Sequence, residues 1–167
     1  MDSYLERLHR ELEHAIGGVA PARLDQGPEG KWTCAQILEH LLLTYQGTNR
    51  GIAKCLDKGT PLARQSKALD HIRSFVVVNL EYFPTGRKSP ERAVPKGMPT
   101  ELVQRAILAE IVQMDAGLAE CERRFGPRTR ILDHPVIGPL NVAQWRKFHW
   151  VHGRHHARQI RERLGKV

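Results

Sequence analysis

Residues 144–160 read QWRKFHWVHGRHHARQI. At 3.6 residues per turn, positions i, i+3, i+4 and i+7 lie on one face of a helix. Val142, Trp145, His149, His152, His156 and Gln159 advance by threes and fours, so they form one stripe with Ile160 at its edge. Apolar groups open and close that stripe, which therefore faces a core. The run predicts a long C-terminal helix with three imidazoles in the middle of its buried face.

His152 and His156 are one turn apart, about 6 Å along the axis. That separation lets two ring nitrogens converge on one ion, as in the HExxH zinc helix. Here Gly153, Arg154 and His155 intervene, so the general-base glutamate of that motif is missing. A competing explanation is a polar core, because a hydrogen-bonded buried histidine is commoner than a ligand. Each buried neutral imidazole needs partners for two nitrogens, and leaving one unpaired costs about 1–3 kcal/mol. A single metal ion satisfies several at once. From this helix alone both explanations stay open. His155 lies on the flank of the stripe, behind the ligands or toward solvent. His149 has three open roles: a further ligand, an acid or base near substrate, or core.

The other helices follow from periodicity and caps. A first helix is expected over Ser3–Val19, with Ser3 and Glu6 as a capping box and Gly17, Gly18 and Pro21 ending it. Thr33 and Gln36 open a second helix that runs to Asp57. Its face Ile37, His40, Leu41, Thr44, Thr48, Ile52 and Cys55 places His40 among aliphatic residues, where its partner must come from another helix. Glu39 falls off that face and is expected at solvent. From Lys58 to Pro99 the pattern breaks. A short helix fits Ser66–Leu80, and the proline-rich PTGRKSPERAVPKGMPT (84–100) is a loop. A third helix is expected over Thr100–Phe125, burying Leu102, Ala106, Ala109, Val112, Ala116 and Ala119. ILDHPVIGPL (131–140) is a turn-rich connection with a structural His134, after which Asn141 and Gln144 cap the fourth helix. The expected fold is all-α: a single domain over 1–167, a four-helix bundle with a long crossover between helices two and three.

Composition bounds the function. The chain has 167 residues, 41% hydrophobic and 26% charged, which fits one ordinary globular domain. No apolar stretch approaches a membrane span, and MDSYLERLHRELEHA is charged and amphipathic, unlike a signal peptide. Cys34, Cys55 and Cys121 are scattered, without CxxC spacing; they favour a reducing cytoplasm and structural thiols. The net charge of +8 raises nucleic-acid binding. The basic residues are dispersed, no stacking aromatics interleave them, and no helix-turn-helix or RNP-like signature is present. A solvated basic surface is favoured; the sharper alternative is a field that draws anionic substrates or thiolate cofactors.

KWTCAQILEHLLLTY (31–45) and HPVIGPLNVAQWRKFHWVHGRHHARQI (134–160) together resemble the DinB/YfiT-like family of metal-dependent bundles, and within it a DinB-related subgroup of unknown function. The resemblance runs along nearly the whole chain. It implies a divalent ion, zinc or nickel, held by three histidines, one from helix two and two from helix four. In this sequence those are His40, His152 and His156, with Gln159 one turn beyond and His155 beside them as supporting groups. It further implies a homodimer, and an enzyme that activates a low-molecular-weight thiol or a water, as a thiol S-transferase or a hydrolase, with His149 as candidate acid or base. The alternatives are a non-enzymatic metal-binding or stress-response bundle and, more weakly, a basic nucleic-acid-binding protein.

Overall fold

A computed structural model describes residues 1–80 and 89–166. The described residues form a mostly helical fold whose core is built on α1 (Ser3–Ile16), α3 (Cys34–Lys58), α5 (Thr100–Phe125) and α6 (Val142–Leu164). Helix α3 packs along α5, and α1 packs along α6. Leu5, Leu8 and Leu12 of α1 are wholly buried, each contributing about 1.5–3 kcal/mol by leaving water. Among the described residues no helix is long and apolar enough to cross a membrane.

Local chemistry sets the helix ends. Asp2, not Ser3, caps α1, its carboxylate accepting the Tyr4 N–H at 2.9 Å. The helix stops at Ile16, short of Val19, because Gly17 and Gly18 follow and Gly18 turns left-handed at φ 68. A single turn, α2 (Pro21–Leu24), then forms where a loop was expected, with proline at its first position. Helices α3 and α6 carry the two expected capping boxes, Thr33 with Gln36 and Asn141 with Gln144.

Three expectations are corrected. The 131–140 segment is a β-hairpin, β1 (Arg130–His134) paired antiparallel with β2 (Gly138–Asn141), so the fold is not purely helical. Ile131, Leu132, Ile137 and Leu140 are buried, a strand pattern hidden by the intervening prolines and glycine. Helix α5 has the expected limits but buries a different face: Val103, Ile107, Ile111, Met114, Leu118 and Cys121 point inward. Leu102 and Val112 are 53% and 47% exposed. The alanines scattered around this helix blur its periodicity, and the larger side chains take the core. Glu39 is only 2% exposed.

Between α3 and α5 the chain forms α4 (Ala68–Ser74), which runs on into a π-turn (Phe75–Asn79), and later a 3-10 turn (Glu91–Ala93). These follow the expected short helix over Ser66–Leu80. The Arg64 guanidinium forks onto Asp70 at 2.6 and 2.8 Å and fastens α4. The 84–88 part of the expected proline-rich loop lies outside the described residues.

Candidate metal centre

His40 comes from α3, and His152 and His156 come from α6. Their approach depends on Gly153. A Cβ there would lie 2.1 Å from Leu8 Cδ1 and 2.9 Å from Tyr45 Oη, so only glycine lets α1 and α3 come this close to α6. The three rings then meet: His152 Nε2 is 3.1 Å from His40 Nε2 and 3.1 Å from His156 Nε2. One nitrogen from each lies within 4.8 Å of the others, a group that can hold a metal ion. Ligands at about 2.0–2.1 Å in a tetrahedral zinc site sit roughly 3.3 Å apart, close to these separations.

The outer nitrogens fix the inner ones. His40 Nδ1 donates to the Ala93 carbonyl at 2.7 Å, and His156 Nδ1 donates to Gln159 Oε1 at 2.8 Å. A neutral imidazole has one N–H, so both Nε2 atoms present bare lone pairs to the same point. Burial lowers the pKa of all three histidines, that of His156 to about 3, and each ring's neighbouring imidazoles push the same way for His152 and His156. Neutral rings are the form that binds metal. Trp32 lies 5.3 Å from His40, and Phe148 stacks on His152 at 5.5 Å, so aromatic rings flank the group.

The other expected site residues are placed as follows. Gln159 touches His156 directly. His155 is half-buried, with its ring 5.1 Å from that of His156. His149 is wholly buried; its Nε2 lies 3.1 Å from Thr48 Oγ1, and its ring stacks on Trp145. Burial lowers its pKa to about 3. It therefore has no surface for a substrate. Cys34 is buried, and burial raises its thiol pKa.

Glu39, expected at solvent, is buried beside the site. Glu39 accepts the backbone N–H groups of Lys96, Gly97 and Met98 at 2.6, 3.0 and 3.1 Å. Gly97, at φ 85, turns these successive N–H groups toward the one carboxylate. Glu39 and His40 thus hold the same loop, one by its N–H groups and the other by the Ala93 carbonyl. The sequence signal was a carboxylate next to a core histidine, followed by a Gly97 that permits the nest. His134 packs its ring 4.4 Å from Phe148 and accepts the Val136 N–H at Nδ1.

A cavity of about 1100 Å³ opens onto the three histidines, bounded by α3, α4, the 3-10 turn, the hairpin and α6. A smaller hollow of about 410 Å³ beside Glu39 touches none of them.

The family described as "Protein of unknown function (DUF1569)" matches residues 20–163. The chain belongs to the DUF1569 family. The matched span runs from the start of α2 almost to the end of α6, so the DUF1569 region contains all three histidines and the loop held by Glu39. No curated protein and no solved structure matches the chain.

Proposed function

We propose that this protein is a divalent-metal enzyme with a DinB/YfiT-like four-helix-bundle fold, acting on a low-molecular-weight thiol or on water. The observation that carries this is the convergence of three Nε2 atoms, two with their lone pairs fixed by outer hydrogen bonds, at the wall of a large cavity. His40, His152 and His156 would hold zinc or nickel. Such an ion supplies a Lewis acid that lowers the pKa of a bound thiol or water. Ala93 and Gln159 keep the ligand rings oriented. Trp32 and Phe148 supply an apolar wall beside the ligands. With His149 withdrawn from the cavity, proton transfer falls to His155, on the wall beside His156. Three free, buried cysteines accord with a reducing cytoplasm. The exposed Leu102 and Val112 of α5 supply an apolar face for a homodimer.

A non-enzymatic metal-binding role is the second reading, favoured by one feature: the histidine group includes no carboxylate to serve as base. The two separate in a turnover assay. Zinc- or nickel-loaded protein is incubated with glutathione or cysteine and an activated aryl chloride. The enzyme reading expects thiol consumption that is lost with a chelator and in His40→Ala. Stoichiometric metal with no chelator-sensitive thiol transfer, and no chelator-sensitive hydrolysis of activated esters, would overturn it.

A further inference from the structure

We infer that the cavity over the three histidines binds an amphiphilic anion, a ligand with an acidic head and an apolar body. This names a substrate class for the site proposed above, and the step from ligand to substrate rests on that proposal.

Charge is the first observation. Among the described residues, Lys31, Arg50, Arg73, Arg92 and Arg163 line the cavity, against a single acid, Asp133. Asp133 already accepts the Arg64 backbone N–H at 3.3 Å. Several guanidinium groups outside the cavity pair with carboxylates, among them Arg64 with Asp70, Arg146 with Glu122 and Arg161 with Glu11. Among the described residues, Arg50, Arg73 and Arg92 make no such close ion pair, although the charge of Arg73 also acts on Asp70. They come from α3, α4 and the 3-10 turn, so three separate elements turn positive charge toward one opening. Cationic groups gathered around a low-dielectric cleft focus their field into it and select anions.

Apolar surface is the second. Most of the remaining lining is aliphatic or aromatic, and Ile72 and Val94 on this wall are 61% and 39% exposed. A cavity of about 1100 Å³ is slightly larger than the roughly 300–1,000 Å³ that enclose drug-sized ligands. A small hydrophilic anion would leave this apolar wall uncovered, whereas a neutral apolar molecule would leave the guanidinium groups unused.

Gly47 is the third. It lies inside α3 on the cavity wall, where glycine weakens a helix. A Cβ there would meet nothing within 4 Å, unlike Gly51, whose Cβ would press on Leu132. Packing does not require the glycine at 47, and its effect is to leave the wall bare.

The test compares decanoate, decanol and decylammonium below their aggregation limits, by titration calorimetry on metal-free and zinc-loaded protein. Decanoate is expected to bind one per chain in both forms, at least about tenfold more tightly than either of the others, a difference of about 1.4 kcal/mol. Gly47→Leu, which fills open space, should weaken decanoate at least about tenfold and leave zinc content unchanged. Arg50→Glu combined with Arg92→Glu, both at exposed side chains, should abolish the preference for the anion. Equal binding of the three amphiphiles, or decanoate binding untouched by both variants, would overturn the inference. Zinc content is read separately on each preparation. Charge-selective binding in protein that takes up no zinc supports this inference and sinks the metal reading alone.

Discussion

Replacing Glu39 by Gln should loosen the metal centre without touching a ligand. Gln keeps the size of Glu39 but sets an NH2 group among N–H donors, so at most part of the nest survives. Hydrogen bonds to a charged group contribute about 1.5–3 kcal/mol each, and Glu39 accepts three. They share one carboxylate and the loop is partly exposed, so water takes over much of the loss. A net cost of about 2 kcal/mol follows, which lowers Tm by about 4–8 °C for a chain of this size. The released loop also carries Ala93, whose carbonyl fixes the His40 tautomer. Losing such an orienting partner typically weakens metal binding about 10- to 100-fold. The assay is competition with a zinc-chelating dye, with melting curves on the same samples and Glu101→Gln at an exposed glutamate as control. A lower Tm with wild-type zinc affinity would refute the link between the Glu39 latch and His40. No change in either would refute the latch itself.

Gln159→Leu removes the acceptor of His156 Nδ1, so zinc affinity should fall about 10- to 100-fold in the dye competition while Tm stays near wild type; unchanged affinity would show that Gln159 does not orient the ring. Gly153→Ala drives a methyl into Leu8 and should cost about 1–3 kcal/mol in urea unfolding. Leu8→Ala alone costs about 2–5 kcal/mol, and the double variant should lose less than the sum; strict additivity would contradict the close contact. His134 is held neutral by burial and by the positive field of Arg92, with its pKa lowered to about 3. The unfolded chain therefore binds this proton first. The contribution of His134 to stability is complete above about pH 6.5 and declines as pH falls toward 3. His134→Asn should flatten the stability slope of metal-free protein between pH 6 and 4 by up to about 1.4 kcal/mol per pH unit; an unchanged slope would contradict the shift.

Much of the helical frame could be read directly because caps and periodicity agree. Thr33, Asn141 and the glycines after α1 set boundaries to within a few residues, and the imidazole stripe of α6 lies inward as its spacing requires. Where several patterns overlap, the sequence is ambiguous. On α5, alanines on every side gave Leu102 and Val112 the look of core residues, and only packing against α3 chooses between the faces. The hairpin was hidden because its buried pairs are interrupted by Pro135, Gly138 and Pro139, which read as turn. Helical spacing brought His152 and His156 together. His40 could be joined to them only through family resemblance, since no local rule carries one helix to another. Glu39 was misplaced for the same reason: its partners are backbone N–H groups 57–59 residues away. Backbone partners such as these and the Ala93 carbonyl have no side-chain signature.

If His40, His152 and His156 hold one divalent ion, that ion should copurify with the protein. Elemental mass spectrometry on protein purified without a nickel column, wild type beside His152→Ala, measures this. About one zinc or nickel per chain is expected in the wild type, lost in a variant that remains helical by circular dichroism. No metal in the wild type after reconstitution with divalent ions, or full metal in the variant, would contradict the three-histidine site.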